Sequence, residues 1–470
     1  VPDLELSLGN YGRSRVDLPQ LRLLNAYIEI TKGGPSQYIR TTRPGLTLKY
    51  NVGEGPILAT YQQPGLFNGD LFTISGSRLY RNDTLVGEVA FSQNPQFAGA
   101  NGLLVVVSGG GLYIYDGTKL KTQLYFDDGT SILPQFSGVA VLYNIFIFSV
   151  VNSNQFFWSS VGDPTTINAL DYANAQVSPD NIIQIAVLAE QLFFFKSTTT
   201  ELWSFVNITS AAQAPFQLQE GSTYARGCSS QASVRHLDNA LFWIGDDFTV
   251  YRTGTVPNRI STSFIEDRIR QNADDITLVT SFTCNIEGHV HFVINLPLTD
   301  DSYAYDCQTQ EWSQWGTLNG TSTNPGMFIG SYAAGQGAEI FVGSSKDGKV
   351  WVFDVNNHTD DGIDIQVVVS GSIWTGGGKQ KCASVSLHCV RGVATSTVPN
   401  PKVEMRYSDD GGRTFSHWLI GDYGGIAHYE YKPVWRSLGI MSQPGRLFEF
   451  KISDPVNVTI EGASYNEALI

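Results

Sequence analysis

His289 and His291, in the stretch GHVHFVI, are spaced so that two imidazoles share one face of a strand, as two ligands of one metal would. A metal site needs a third ligand from elsewhere; Cys284 lies nearby in sequence, but no such ligand is evident, so no metal is expected. Two Gly-rich stretches, SGGGLYIYDG and TGGGKQKC, superficially suit a phosphate loop. Both lack Gly-Lys-Ser/Thr and a following helix whose N-terminus polarises such a site, so they read as turns. Lys379 and Lys381 in the second remain available to phosphate or to a neighbour's carboxylate. In Thr200-Glu201-Leu202-Trp203, strand alternation puts Glu201 and Trp203 on one face and Thr200 and Leu202 on the other. That arrangement suits a buried indole with a hydrogen-bonded neighbour better than a carboxylate offered to a substrate. Asp246 and Asp247, after LFWIG, stand where aspartates bond their own backbone and shape a hairpin.

In YSDDGGRTF, Ser408, Asp410, Gly412, Thr414 and Phe415 have the spacing of the Asp box of sialidase-type propellers. Its aspartate and hydroxyls bond turn amides while the aromatic packs beneath, so the motif is a staple of the fold. A sialidase also needs an Arg cluster for the sugar carboxylate, and retaining hydrolysis needs a Tyr nucleophile or two carboxylates roughly 5 Å apart. Several boxes and an Arg-Ile-Pro segment belong to that pattern. This sequence has one box, and NRIS stands where the proline would be, so no catalytic residues are expected.

The elements holding these residues are strands. Apolar runs of four to eight residues recur between Gly, Asn, Asp and Pro clusters, and helical periodicity is nearly absent. One theme repeats: an apolar strand, a short turn, and a second strand carrying an aromatic. Seven such units begin near residues 70, 102, 139, 184, 232, 279 and 328, a spacing that suits four-stranded propeller blades. The expected fold is all-β: a β-propeller over 57–357 with about seven blades, six to eight being compatible, then a C-terminal β-sandwich-like module over 358–470. Residues 1–56 read as an arm or as the strand that closes the ring.

Charged residues make up only 16% of the 470, and the formal charge is -14. A surface rich in uncharged polar groups and a surface covered by neighbouring subunits both explain the first figure. The second argues against gripping nucleic acid through its phosphates, yet an acidic wall repels DNA without stopping its passage. The start lacks a basic-then-apolar leader, and the apolar run 139–151 is too short to span a bilayer, so neither secretion nor a membrane anchor is expected. Five cysteines, Cys228, Cys284, Cys307, Cys382 and Cys389, form no C-x-x-C pair and suit a reducing compartment.

Between about 168 and 262 an ordered set of motifs stands out: a Ser-Pro-Asp stretch, then Thr200-Glu201-Leu202-Trp203, Arg226-Gly227-Cys228, Phe242-Trp243 with Gly245, and Arg259-Ile260-Ser261. It resembles the packaged-DNA stabilisation family of short-tailed phages, the tail accessory or nozzle proteins. Ile244 stands where Leu is common there, and the N-terminal third matches only loosely. The resemblance implies a non-enzymatic virion protein without cofactors, made in the host cytoplasm. It implies a homo-oligomeric ring of six copies in the tail, below the portal-adaptor ring. Such a ring carries fibres or spikes, meets a distal plug or needle, holds the packaged DNA and conducts it at ejection. The alternative is a glycan-binding or sialidase-like propeller in which Trp312 and Trp315 of QEWSQWG stack on sugar rings, against which stands their packing between blades.

Overall fold

Leu104, Val105, Val106 and Val107 are all buried, and alternation divides them between two cores. Leu104 and Val106 pack with Phe72 and Ile74, whereas Val105 and Val107 pack with Phe146 and Phe148. A strand apolar on both faces belongs to a sheet covered on both sides, and radial stacking of blades supplies that cover. Each such side chain contributes about 1.5–3 kcal/mol by leaving water.

The computed structural model describes residues 3–12, 21–32, 36–206, 214–254, 256–320, 322–335, 339–375, 378–441 and 445–466. Six blades are built from four consecutive antiparallel strands each, the first opening with Ile57–Tyr61 and the sixth closing with Glu311–Trp315. A seventh takes Gly330–Ala334, Phe341–Ser344 and Lys349–Asp354, and is completed by the N-terminal strand Gly45–Asn51, with Val352 opposite Thr47. Ile57 and Tyr80 of blade 1 pack on Phe341 and Val350 of blade 7, which closes the ring.

The innermost strands of blades 1 and 2, Ile57–Tyr61 and Gln96–Ala100, precede the unit starts read from the sequence near 70 and 102. The first ends in Ala-Thr-Tyr and the second reads Gln-Phe-Ala-Gly-Ala, so neither has the dense apolar run that marks its successor. Turns follow the hairpin rule: Asn101 and Gly102 both take positive φ, 51° and 72°, as a two-residue turn of matching twist requires. Thr262 caps the α-helix Ser263–Arg270 at the end of blade 5.

Other described N-terminal strands join the C-terminal module. Asp3–Leu6 pairs with Val367–Trp374 on one side and with Thr459–Tyr465 on the other, and Tyr38–Thr42 also pairs with Thr459–Tyr465. The interior brings Leu4, Leu6 and Ile28 against Val369, Leu387, Met405 and Phe450. The two modules are continuous: Leu23–Leu24 runs parallel to the outer strand of blade 6 at Gln314 and antiparallel to Val367–Trp374. No helix among the described residues is long and apolar enough to cross a membrane.

Candidate functional site

Glu201 and Trp203 of blade 4 join Lys196 and Asp180 in a largely buried polar cluster. Lys196 lies 2.9 Å from Glu201 and 2.8 Å from Asp180, and donates to the carbonyls of Ala175 and Ser178. Trp203 Nε1 donates to the other Glu201 oxygen at 3.1 Å. Burial alone raises the Asp180 carboxyl; Lys196 and the Thr198 hydrogen bonds override this and hold it below the ordinary carboxylate range. With every oxygen engaged, the cluster clasps a chain crossing and presents no reactive group.

Thr200 Oγ1 donates to the Arg226 carbonyl at 2.8 Å, and Trp243 Nε1 donates to the Gly227 carbonyl at 3.2 Å. A Cβ on Gly227 would stand 2.3 Å from the Ser197 carbonyl oxygen, so only glycine fits. Asp246 accepts from the Gly227 amide at 2.9 Å, while Asp247 accepts from Thr249 N and Tyr251 Oη. Cys228 donates to the Ser230 carbonyl, and burial pushes its thiol up to about 11, so it is no nucleophile. Arg259 and Ser261 both bond Glu266, and the Ile260 carbonyl accepts from Trp312 Nε1 at 2.8 Å. The thirteen positions of the sequence motif are thus distributed along the packed seams from blade 3 to blade 6.

His289 Nδ1 lies 2.9 Å from Asp306 Oδ2, and Tyr27 packs against both imidazoles. His291 is fully buried opposite Cys284, neither ring nitrogen has a hydrogen-bond partner, and burial lowers its pKa to about 4. Burial keeps the Cys284 thiol protonated, and among the described residues no three His, Cys, Asp or Glu side chains converge on a metal position.

At the Asp-box turn Asp410 Oδ1 accepts from the Arg413 and Thr414 amides, each at 2.9 Å, and from Ser408 Oγ; Thr414 Oγ1 donates to Oδ2 at 2.6 Å. Ser408 Oγ accepts from Gly412 N, and Arg406 lies over the Phe415 ring. This turn follows Lys402–Ser408, a strand of the C-terminal module rather than of the propeller. Gly109 and Gly110 form a turn at positive φ. In the second Gly-rich stretch residues 376–377 lie outside the described residues, and Lys381 is paired opposite Ile440.

Side chains link blades that are not neighbours in the ring. Gln184 of blade 4 donates to Gln96 of blade 2 at 2.6 Å, and Gln231 reaches the Ser137 carbonyl at 2.7 Å. Tyr332 of blade 7 donates to Asn94 at 2.7 Å, and the Arg235 guanidinium of blade 5 lies 5.4 Å from the Tyr332 ring centre.

Residues 3–358 match the family model described as Bacteriophage P22 Gp10, beta-propeller, and residues 370–467 match the one described as Bacteriophage P22 Gp10, beta-sandwich. The chain belongs to this family. Both halves of the Gp10 architecture are therefore present, and the chain is a phage structural protein. No curated protein matches it. Among solved structures, this Gp10-family chain is similar to the computationally designed Ika8 protein at 12% identity and TM-score 0.38, covering 72% of this chain and 99% of that one. It is similar to PorZ of the Porphyromonas gingivalis type-IX secretion system at 9% identity and TM-score 0.39, covering 80% and 46%. It is also similar to an exo-beta-1,3-galactanase from Phanerochaete chrysosporium at 9% and 0.30, covering 78% and 94%. Likenesses this distant carry no functional inference.

Trp312 and Trp315 are 2% and 0% exposed in the cores beside blade 6, so neither offers a face to a sugar ring. Two polar features escaped sequence reasoning. One is the buried knot of Asn25, Arg43 and Asp360 at the junction of the modules; the other is a cleft beside it lined by Arg22, Arg268 and Arg406. Each draws its members from distant parts of the chain, and the only local signal is an arginine beside an apolar strand.

Proposed function

We propose that this chain is a non-enzymatic component of a phage tail. Copies pack side by side into a ring, six by family resemblance, below the portal and adaptor; the ring retains packaged DNA and conducts it during ejection. The observation that carries the reading is the match to both Gp10 modules over nearly the whole chain. Side chains that bridge non-neighbouring blades narrow the propeller centre, which supports a conduit formed between copies and not within one. The formal charge of -14 suits a wall that repels phosphates and lets a duplex slide. Fibres or spikes attach to the outer face and a plug or needle to the distal end.

The test is imaging of whole virions labelled with antibody to this chain, together with mass measurement of the purified chain mixed with portal-adaptor complexes. Label at the tail exit and ring-sized species are expected. Label scattered over the capsid, or a chain that stays monomeric with those complexes, would overturn the proposal.

A further inference from the structure

A polar cleft of about 350 Å³ opens at the seam between blade 6 and the sandwich. Arg268 enters from the helix Ser263–Arg270, Arg406 from the sandwich strand Lys402–Ser408, and Arg22 from the residue before the crossing strand Leu23–Leu24. Asp301 and Glu449 are the carboxylates on its walls. Three guanidiniums thus face two carboxylates, in a chain with formal charge -14.

The three cations differ in how far they are engaged. Arg406 is committed to Glu449, at 2.5 and 2.6 Å, and stacks on Phe415 and Trp418. Arg268 stands 3.7 Å from Asp301, which also accepts from Gln314 at 3.1 Å. Arg22 donates from Nε to Gln314 at 2.9 Å, and among the described residues no carboxylate lies within ion-pair distance of it. One edge of its planar fork therefore has no acidic partner, although that fork matches the two oxygens of a carboxylate or phosphate. Burial pushes the Arg22 guanidinium below its ordinary value, against the pull of Glu449, Tyr303 and Asp301.

We propose that this seam cleft binds a small oxyanion, a carboxylate or a phosphate, on the unengaged edge of Arg22 with Arg268 beside it. The anion balances the local charge and bridges propeller and sandwich. The site needs no neighbouring copy and is independent of the tail reading above.

Isothermal titration of the full chain at constant chloride ionic strength tests this, with inorganic phosphate in one arm and acetate in the other. A saturable one-to-one heat in either arm is expected, and the arm that gives it identifies the chemistry. Arg22→Gln should weaken binding about tenfold or more, as loss of a charge-assisted hydrogen-bond pair implies. Lys349→Gln, which removes a half-buried cation paired with Asp361 away from the cleft, should leave it unchanged. Thermal unfolding without anion checks that each variant folds, and Arg268→Gln replaces Arg22→Gln if the latter does not. Absence of saturable heat in both arms, or equal binding by wild type and the folded Arg variant, overturns the proposal.

Discussion

Arg43 meets both oxygens of Asp360, Nη1 to Oδ1 at 2.8 Å and Nη2 to Oδ2 at 2.5 Å, with the two side chains 0% and 1% exposed. Asn25 accepts from Arg43 Nε at 3.0 Å, Thr317 donates to Asp360 at 2.8 Å, and the guanidinium lies over the Phe328 ring. Blade 6, blade 7 and the strand leading into the sandwich are tied at this one point.

Removing one partner leaves a buried charge that nothing neutralises. Asp360→Ala is expected to lower stability by about 3–5 kcal/mol, whereas Arg43→Met combined with Asp360→Leu should recover most of it. Urea unfolding of the single and double variants measures the difference.

The Lys196 clasp obeys the same logic inside a blade. Lys196→Met strands Glu201 and Asp180, and a loss of about 3–5 kcal/mol is expected. Because Trp203 donates to Glu201, its fluorescence should change in the folded variant, which separates local rearrangement from global unfolding.

Gly227→Ala forces a methyl against the Ser197 carbonyl, 2.3 Å away, and is expected to cost about 1–3 kcal/mol as overpacking. Gly462→Ala meets nothing within 4 Å and should be close to neutral. Calorimetric melting of the pair gives the comparison.

His291 makes stability depend on pH. Its folded pKa of about 4 lies below the unfolded value near 6.5, so the unfolded chain binds more protons in that window and stability falls as pH drops through it. Roughly 1 kcal/mol should already be lost between pH 7 and 5.5. His291→Phe removes that contribution, so its urea midpoint should shift less over the same range.

The alternating strands, the Asn-Gly turn at 101–102 and the pairing of Glu201 with Trp203 are local, so they were legible in the residues themselves: strand period, turn φ and side-chain direction depend only on near neighbours. Leu104–Val107 even announce a sheet covered on both faces. Tertiary structure alone decided that Gly45–Asn51 completes the seventh blade, that Asp3–Leu6 joins the sandwich, and that Gln184 of blade 4 meets Gln96 of blade 2. It alone brought Arg43 to Asp360, 317 positions away, and gathered three arginines in one cleft. The physical reason is that a strand's edge and an arginine's charge state a need for a partner without naming it; the partner is chosen by ring closure and by the seam between the two modules.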